Sequence, residues 1–179
     1  MEPLEIHSKN LEDTKRAAAI LLEKLAMSMN SRSGATVVGL YGDLGAGKTA
    51  FAQFFGELLG IREKIASPTF VLEKIYKIEN TRGNFPFSHL IHIDAYRLES
   101  EKEMENLGWK EIVENPRNII LVEWPERIAG LMPENHIRIY FEHVGVDGNG
   151  AVNENARKIT FAAGTFADAT AVENKNVAK

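Results

Sequence analysis

An apolar run, Thr36-Val37-Val38-Gly39-Leu40-Tyr41, passes directly into Gly42-Asp43-Leu44-Gly45-Ala46-Gly47-Lys48-Thr49, and this junction constrains the fold more than any other part of the chain. Gly42, Gly47, Lys48 and Thr49 meet the spacing G-x-x-x-x-G-K-[ST] of a phosphate-binding loop. The chemistry asks for these residue types. Glycines at 42, 45 and 47 allow positive φ and let successive N–H groups approach one anion, where a Cβ would obstruct them. The backbone of Asp43, Leu44, Gly45, Ala46 and Gly47 then cradles phosphate, and Lys48 adds a point charge on the β and γ phosphates. The Thr49 hydroxyl suits Mg²⁺, and the helix that follows points its positive end at the ligand. A nucleoside triphosphate with Mg²⁺ is the ligand this arrangement implies.

A glycine-rich turn that matches by accident is the alternative, expected about once in two hundred chains of this length. The flanks argue against it. Residues 36–41 read as a buried parallel strand, and Ala50 to Leu59 read as a helix with Phe51, Phe54, Phe55, Leu58 and Leu59 at helical spacing.

With 179 residues, 44% hydrophobic and 26% charged, the chain has the material for one domain with a real core, assigned to residues 1–161. Zero cysteines exclude disulfides, thiolate catalysis and cysteine-bound zinc. Met1-Glu2-Pro3-Leu4-Glu5 has neither a basic region nor an apolar core of a signal peptide, and no apolar run is long enough for a bilayer, so a cytoplasmic location without membrane contact is expected. A net charge of −4 with scattered Lys and Arg lacks the footprint of an independent nucleic-acid binder; if RNA is involved, a partner holds it.

The rest of the chain alternates helix and strand signals, which predicts a three-layer α/β domain of P-loop NTPase type with a mixed, mainly parallel sheet and a carboxy-terminal edge hairpin. Leu4 to His7 is a short strand. Asn10 caps a helix from Leu11 to about Met29 with Ala18, Leu21, Leu22, Leu25 and Met29 on one face. A strand is expected from Phe70 to Ile78, then a polar turn through Asn80, Gly83 and Asn84, a strand over 88–94, and a helix from Glu99 to about Asn106. Asn118 to Glu123 reads as another buried strand, stopped at Trp124-Pro125 because proline cannot continue a ladder. His136 to His143 and Arg157 to Phe161 form the hairpin around a glycine-rich loop, and residues 162–179 read as a loose polar tail. His89 and His92 lie three apart on a strand and so face opposite sides, which disfavours a two-histidine metal site; one packed and one solvated ring is the expectation.

Ligands of open α/β sheets lie outside the carboxyl ends of the strands, which singles out Asp94 and Glu123. A carboxylate ending an apolar run must be exposed, hydrogen-bonded or metal-linked. Glu123 follows a strand apolar on both faces, the setting of a magnesium-site acid. Asp94 has two readings, a role at the nucleotide or a structural one, capping the next turn or pairing with Arg97. Ser67-Pro68-Thr69 is either a rigid turn or a γ-phosphate sensor acting through the Thr69 hydroxyl.

Taken in order, the loop at 42–49, Ser67-Pro68-Thr69-Phe70, His92-Ile93-Asp94-Ala95-Tyr96-Arg97, Leu107-Gly108 and Val122-Glu123-Trp124-Pro125 resemble the bacterial TsaE (YjeE) family over residues 4–161. The run Val-Glu-Trp-Pro after His-x-Asp-x-Tyr-Arg is much more specific than the loop alone. The resemblance implies an ATPase needed to form threonylcarbamoyladenosine beside the anticodon of tRNAs reading codons that begin with A. It implies that the protein does not transfer the group itself. It implies, further, binding to a heterodimer of the transferase subunit and its companion, of TsaD and TsaB type, with tRNA met only through that complex. Carried over residue by residue, Lys48 holds phosphate, Thr49 and Glu123 hold magnesium, and Asp94 acts in hydrolysis. Trp124 sits beside the site against nucleotide or partner, Arg157 is a candidate nucleotide contact, and Ser8 to Thr14 approaches the adenine. Two departures stand out: Ala50 where a second threonine often follows the loop, and a long 145–155 loop before the tail.

The expected reaction is in-line attack of water on the γ-phosphate, with charge stabilised by Lys48, loop amides and Mg²⁺, and with Asp94 or Thr69 placing the water. No arginine stands out as a finger, so slow hydrolysis by the free chain is expected. A small-molecule kinase is the alternative but would need an acceptor pocket with clustered arginines; a GTP switch would need an N-K-x-D segment, and Asn174-Lys175 lacks the aspartate. A nucleotide-sensing scaffold would use nearly the same residues.

Overall fold

The structure is a computed structural model and describes residues 2–27, 33–68, 71–79, 85–145 and 156–163. Thr69 and Phe70, the turn over 80–84, most of the 145–155 loop and nearly all of the tail lie outside these residues. A seven-stranded sheet runs in the order β1-β7-β6-β2-β5-β4-β3, where β1 is Leu4–Ser8, β2 Thr36–Gly42, β3 Glu73–Lys77, β4 His89–Asp94, β5 Asn118–Glu123, β6 Ile137–His143 and β7 Arg157–Phe161. The four strands β6, β2, β5 and β4 are parallel, and the outer pairings of β3, β7 and β1 are antiparallel.

The central strands are apolar on both faces because helices cover both. Val38, Leu40, Ile119 and Leu121 face α1 (Leu11–Met27) and α2 (Lys48–Leu58), and the core there includes Leu21, Leu25, Phe51 and Phe55. Val37, Ile120, Val122, Ile91 and Ile93 face the opposite layer with Met104 of α3 (Glu101–Asn106) and Trp109 of α4 (Trp109–Glu114). Continuous Val/Ile/Leu runs are what a parallel sheet buried on two sides requires.

Local chemistry sets the element ends. Asn10 Oδ1 accepts from Asp13 N at 3.0 Å, and Asp13 Oδ2 accepts from Lys9 N at 2.8 Å, which satisfies amides that the first turn of α1 leaves open. The strand expected from Phe70 starts only at Glu73: the Val71 and Leu72 amides both donate to the Pro68 carbonyl, and Leu72 adopts φ 64°, so the chain is still turning there. The helix expected from Glu99 starts at Glu101 behind a capping box of Ser100 and Glu103. Gly108, at φ 82°, separates it from α4, a further helix that the 99–106 reading did not include. The β6–β7 hairpin lies inside the sheet edge, since β1 pairs beyond β7 with Leu4 opposite Phe161.

A buried polar chain links β2 to the segment before β6. Tyr41 Oη lies 2.7 Å from His136 Nε2, while His136 Nδ1 donates to the Pro133 carbonyl. With Nδ1 as donor, the neutral ring accepts the tyrosine hydroxyl at Nε2. Burial pushes the His136 pKa down, and Arg138 adds to this against the raising effect of the Pro133 bond. A depressed folded pKa means that the unfolded chain takes up the proton first, so this stability is fully present above the unfolded value of about 6.5 and is lost as pH falls from there through the lower folded value. The urea midpoint of the native chain should therefore decline more steeply between about pH 7 and 5 than that of His136→Gln; parallel pH profiles would contradict the assignment.

Candidate functional site

The carboxyl ends of β2, β5 and β4 converge at one place on the α2 side of the sheet. β2 ends at Gly42, in register with Phe141 of β6, and a Cβ at Gly42 would collide with the Phe141 carbonyl. Gly42, Gly45 and Gly47 take φ values of 135°, 77° and 106°, so the loop turns through conformations that side-chain-bearing residues avoid. Gly47 then delivers Lys48 and Thr49 onto the first turn of α2.

Glu123 ends β5 with 3% of its surface exposed. Its two carboxylate oxygens accept from Thr49 Oγ1 at 2.8 and 3.1 Å, and Oε1 lies 2.9 Å from His92 Nε2. Asp94 is opposite Glu123 in the β4–β5 register, and its Oδ1 accepts from Tyr96 N at 3.1 Å. The capping role read for Asp94 from sequence is therefore realised, in a residue that also lines the cleft.

Lys48 Nζ donates to the carbonyls of Gly42 at 2.5 Å and Asp43 at 2.9 Å, and stands 4.0 Å from the centre of the Trp124 ring. Burial lowers the Lys48 pKa, opposed by the carboxylates of Glu123, Glu126, Asp94 and Asp43. Trp124 takes φ 59° between the end of β5 and Pro125, a left-handed turn rare outside glycine that throws its indole over the loop. Tyr96 packs against it at 5.0 Å between ring centres.

Two clefts meet at the loop. One, of about 270 Å³, is lined by residues 44–50 with Ser67, Asp94, Tyr96, Glu123 and Trp124. The other, of about 710 Å³, runs between Ser8–Thr14 on one side and Gly45, Gly47, Ala50 and Arg157 on the other. Gly45, Gly47 and Ala50 line both, so an elongated ligand with phosphates at the loop can extend into either. Arg157 reaches the loop from β7, its Nη2 3.5 Å from the Gly45 carbonyl.

The donor set fits a small hard cation at Thr49 and Glu123: a hydroxyl and a carboxylate 2.8 Å apart, facing a loop of amides, leave the remaining positions to water and phosphate, as Mg²⁺ prefers. Of the residues singled out in the sequence, 44–49, Asp94, Glu123 and Trp124 meet at the first cleft and Arg157 at the second, Asp43 touches the site through its carbonyl, which accepts from Lys48 Nζ, and Thr69 lies outside the described residues. Reading the sequence missed two contacts. His92 is fully buried, as one ring of its pair was expected to be, but it is bonded to Glu123. Tyr96 covers Trp124. The period-two spacing of His92 and Asp94 on one strand signals a shared face; nothing local signals which acid of β5 that face meets.

A mainly parallel α/β sheet whose strand feeds a glycine loop and a Lys-Thr pair onto a helix defines a P-loop-like domain. The family model described as "Threonylcarbamoyl adenosine biosynthesis protein TsaE" matches residues 8–150, and the chain belongs to the TsaE family. It is 36% identical over 163 residues to the tRNA threonylcarbamoyladenosine biosynthesis protein TsaE of Bacillus subtilis, covering 91% of this chain and 87% of that one. The protein of the same name from Treponema pallidum is 35% identical over 142 residues, covering 79% and 93%. The crystal structure of Bacillus subtilis YdiB superimposes with a TM-score of 0.62 at 30% identity, over 89% of this chain and 84% of that one.

Proposed function

We propose that this chain binds ATP with Mg²⁺ and hydrolyses it as the energy-using component of the machinery that forms threonylcarbamoyladenosine next to the anticodon of tRNA. The convergence of Lys48, Thr49, Glu123 and Asp94 on one cleft supports the ATPase part. The tRNA part is supported by relatives named tRNA threonylcarbamoyladenosine biosynthesis proteins, which this chain matches along most of its length. Its partners in this reading are a transferase subunit and companion of TsaD and TsaB type, which hold the tRNA; the chain's own net charge of −4 suits an indirect contact. We place it in the cytoplasm. Among the described residues, no helix is long and apolar enough to cross a membrane.

In this reading the nucleoside lies between Ser8–Thr14 and Arg157, and the phosphates run along the loop into the first cleft. Lys48 leaves the Gly42 and Asp43 carbonyls and extends along the β and γ phosphates. Thr49 Oγ1 and the Glu123 carboxylate would hold the Mg²⁺. Bound Mg²⁺ would neutralise charge on the β and γ phosphates. Asp94 orients the water whose oxygen bonds to the γ-phosphorus as the bond to the bridging oxygen breaks and its electron pair leaves with ADP. Among the described residues lining this cleft there is no arginine, which supports slow turnover until a partner completes the site.

The test is mass spectrometry of nucleosides from bulk tRNA after depletion of this protein, with rescue by wild type or Lys48→Ala. Loss of threonylcarbamoyladenosine, restored by wild type alone, is expected. Unchanged modification in fully depleted cells would overturn the reading.

A further inference from the structure

His92 sits inside the sheet with none of its surface exposed, one position before the last pair of β4 residues. Its neighbours across the strands are Leu121 on β5 and Lys74 on β3. Leu90 and Leu121 of this face belong to the core under α2, so period-two alternation places His92, Asp94 and Glu123 on that same face, His92 one layer deeper. The imidazole is thus beneath the acid, and Thr49 is above it at the cleft.

The two ring nitrogens differ. Nε2 lies 2.9 Å from Glu123 Oε1, whereas Nδ1 is buried with no hydrogen-bond partner among the described residues. An ionised carboxylate only accepts, so Nε2 carries the proton of this contact. A buried nitrogen without a partner is costly, and an apolar side chain of similar size would fill the space without that cost. What the imidazole adds is one N–H aimed at Glu123.

We propose that His92 is a positioning residue for Glu123, holding the carboxylate toward Thr49 from the core side so that the metal-binding oxygens are set before nucleotide arrives. The inference rests on the proposed magnesium role of Glu123. Among the described residues, Glu123 has two side-chain donors, Thr49 Oγ1 and His92 Nε2. With Thr49 engaged by the metal, its hydrogen bond to the carboxylate would be given up, and His92 would be the side-chain donor that stays among the described residues. A metal ligand held by a fixed buried partner keeps its orientation, and loss of such a partner typically weakens metal affinity about 10- to 100-fold.

The experiment compares the full-length wild type with His92→Phe and His92→Gln, measuring binding of a non-hydrolysable ATP analogue by calorimetry across a Mg²⁺ titration and in EDTA. Manganese paramagnetic resonance of the same samples reads the metal directly. His92→Phe should raise the Mg²⁺ concentration at half-effect by about tenfold or more, with binding in EDTA changed less than about twofold. His92→Gln keeps a terminal N–H and should recover most of the shift. A merely structural histidine would lower binding in EDTA and in Mg²⁺ alike, so an equal loss overturns the proposal, as does an unchanged Mg²⁺ midpoint in folded His92→Phe. If the phenylalanine variant does not fold, His92→Asn, too short to span to Glu123, carries the same comparison. Glu123→Gln separates the magnesium role of Glu123 from the positioning role of His92. If it leaves the Mg²⁺ midpoint unchanged, the magnesium role of Glu123 fails; if it shifts the midpoint while the His92 variants do not, the positioning role alone fails.

Discussion

Lys48→Ala should show no heat of ATP binding at concentrations that saturate the native chain. Lys48 is the loop's one side-chain cation, 4% exposed and gathered by the Gly42 and Asp43 carbonyls and the Trp124 face. Truncating one partner of a buried, hydrogen-bonded charge pair costs ~2–5 kcal/mol, about 30- to several-thousand-fold in Kd. The loop amides and the Thr49–Glu123 pair would remain, but they cannot replace a positive charge against the γ-phosphate. The fold should survive, because the Lys48 ammonium is penalised by burial and the loop turns on its glycines. Melting near the wild-type temperature together with lost binding is therefore the expected pair of results. ATP affinity within a few-fold of wild type would remove Lys48 from the phosphate site.

Phe51→Ala should lower stability by ~3–5 kcal/mol, the usual range for removing a buried aromatic ring from a core that cannot close over the gap. Phe51 is fully buried on the first turns of α2. It stacks on Phe55 at 6.2 Å between ring centres and meets the Phe141 ring edge-on at 5.5 Å. Its loss opens a cavity between helix and sheet directly behind the phosphate loop. For a domain of this size the melting temperature should fall by about 6 to 20 °C, and urea unfolding would give the free energy. A loss below about 1 kcal/mol would mean that Phe55 and Phe141 repack into the space.

The loop was legible because its chemistry is local. In the proposed site, consecutive residues 42–49 place amides, an ammonium and a hydroxyl around one anion, so spacing along the chain is nearly spacing in the site. The strands read at 36–41 and 118–123, observed as Thr36–Gly42 and Asn118–Glu123, were legible for a related reason: a parallel strand covered on both faces has to be apolar without interruption. Elements whose ends depend on a single backbone turn were read less well. The late start of β3 follows from two amides donating to Pro68 and from Leu72 at positive φ, and the break before α4 follows from Gly108.

Side-chain identity along the chain determined the existence of the loop, the helix it opens, the buried strands and the acids at their carboxyl ends, because each is a matter of periodicity or of near neighbours. Only the tertiary structure decided that Glu123 meets Thr49 across 74 positions and His92 across 31, and that Trp124 closes over Lys48. Those meetings depend on strand order and register in a sheet where β4, β5 and β2 lie side by side. Sheet order arises from the joint burial of all the helices and strands, which no short stretch of sequence contains.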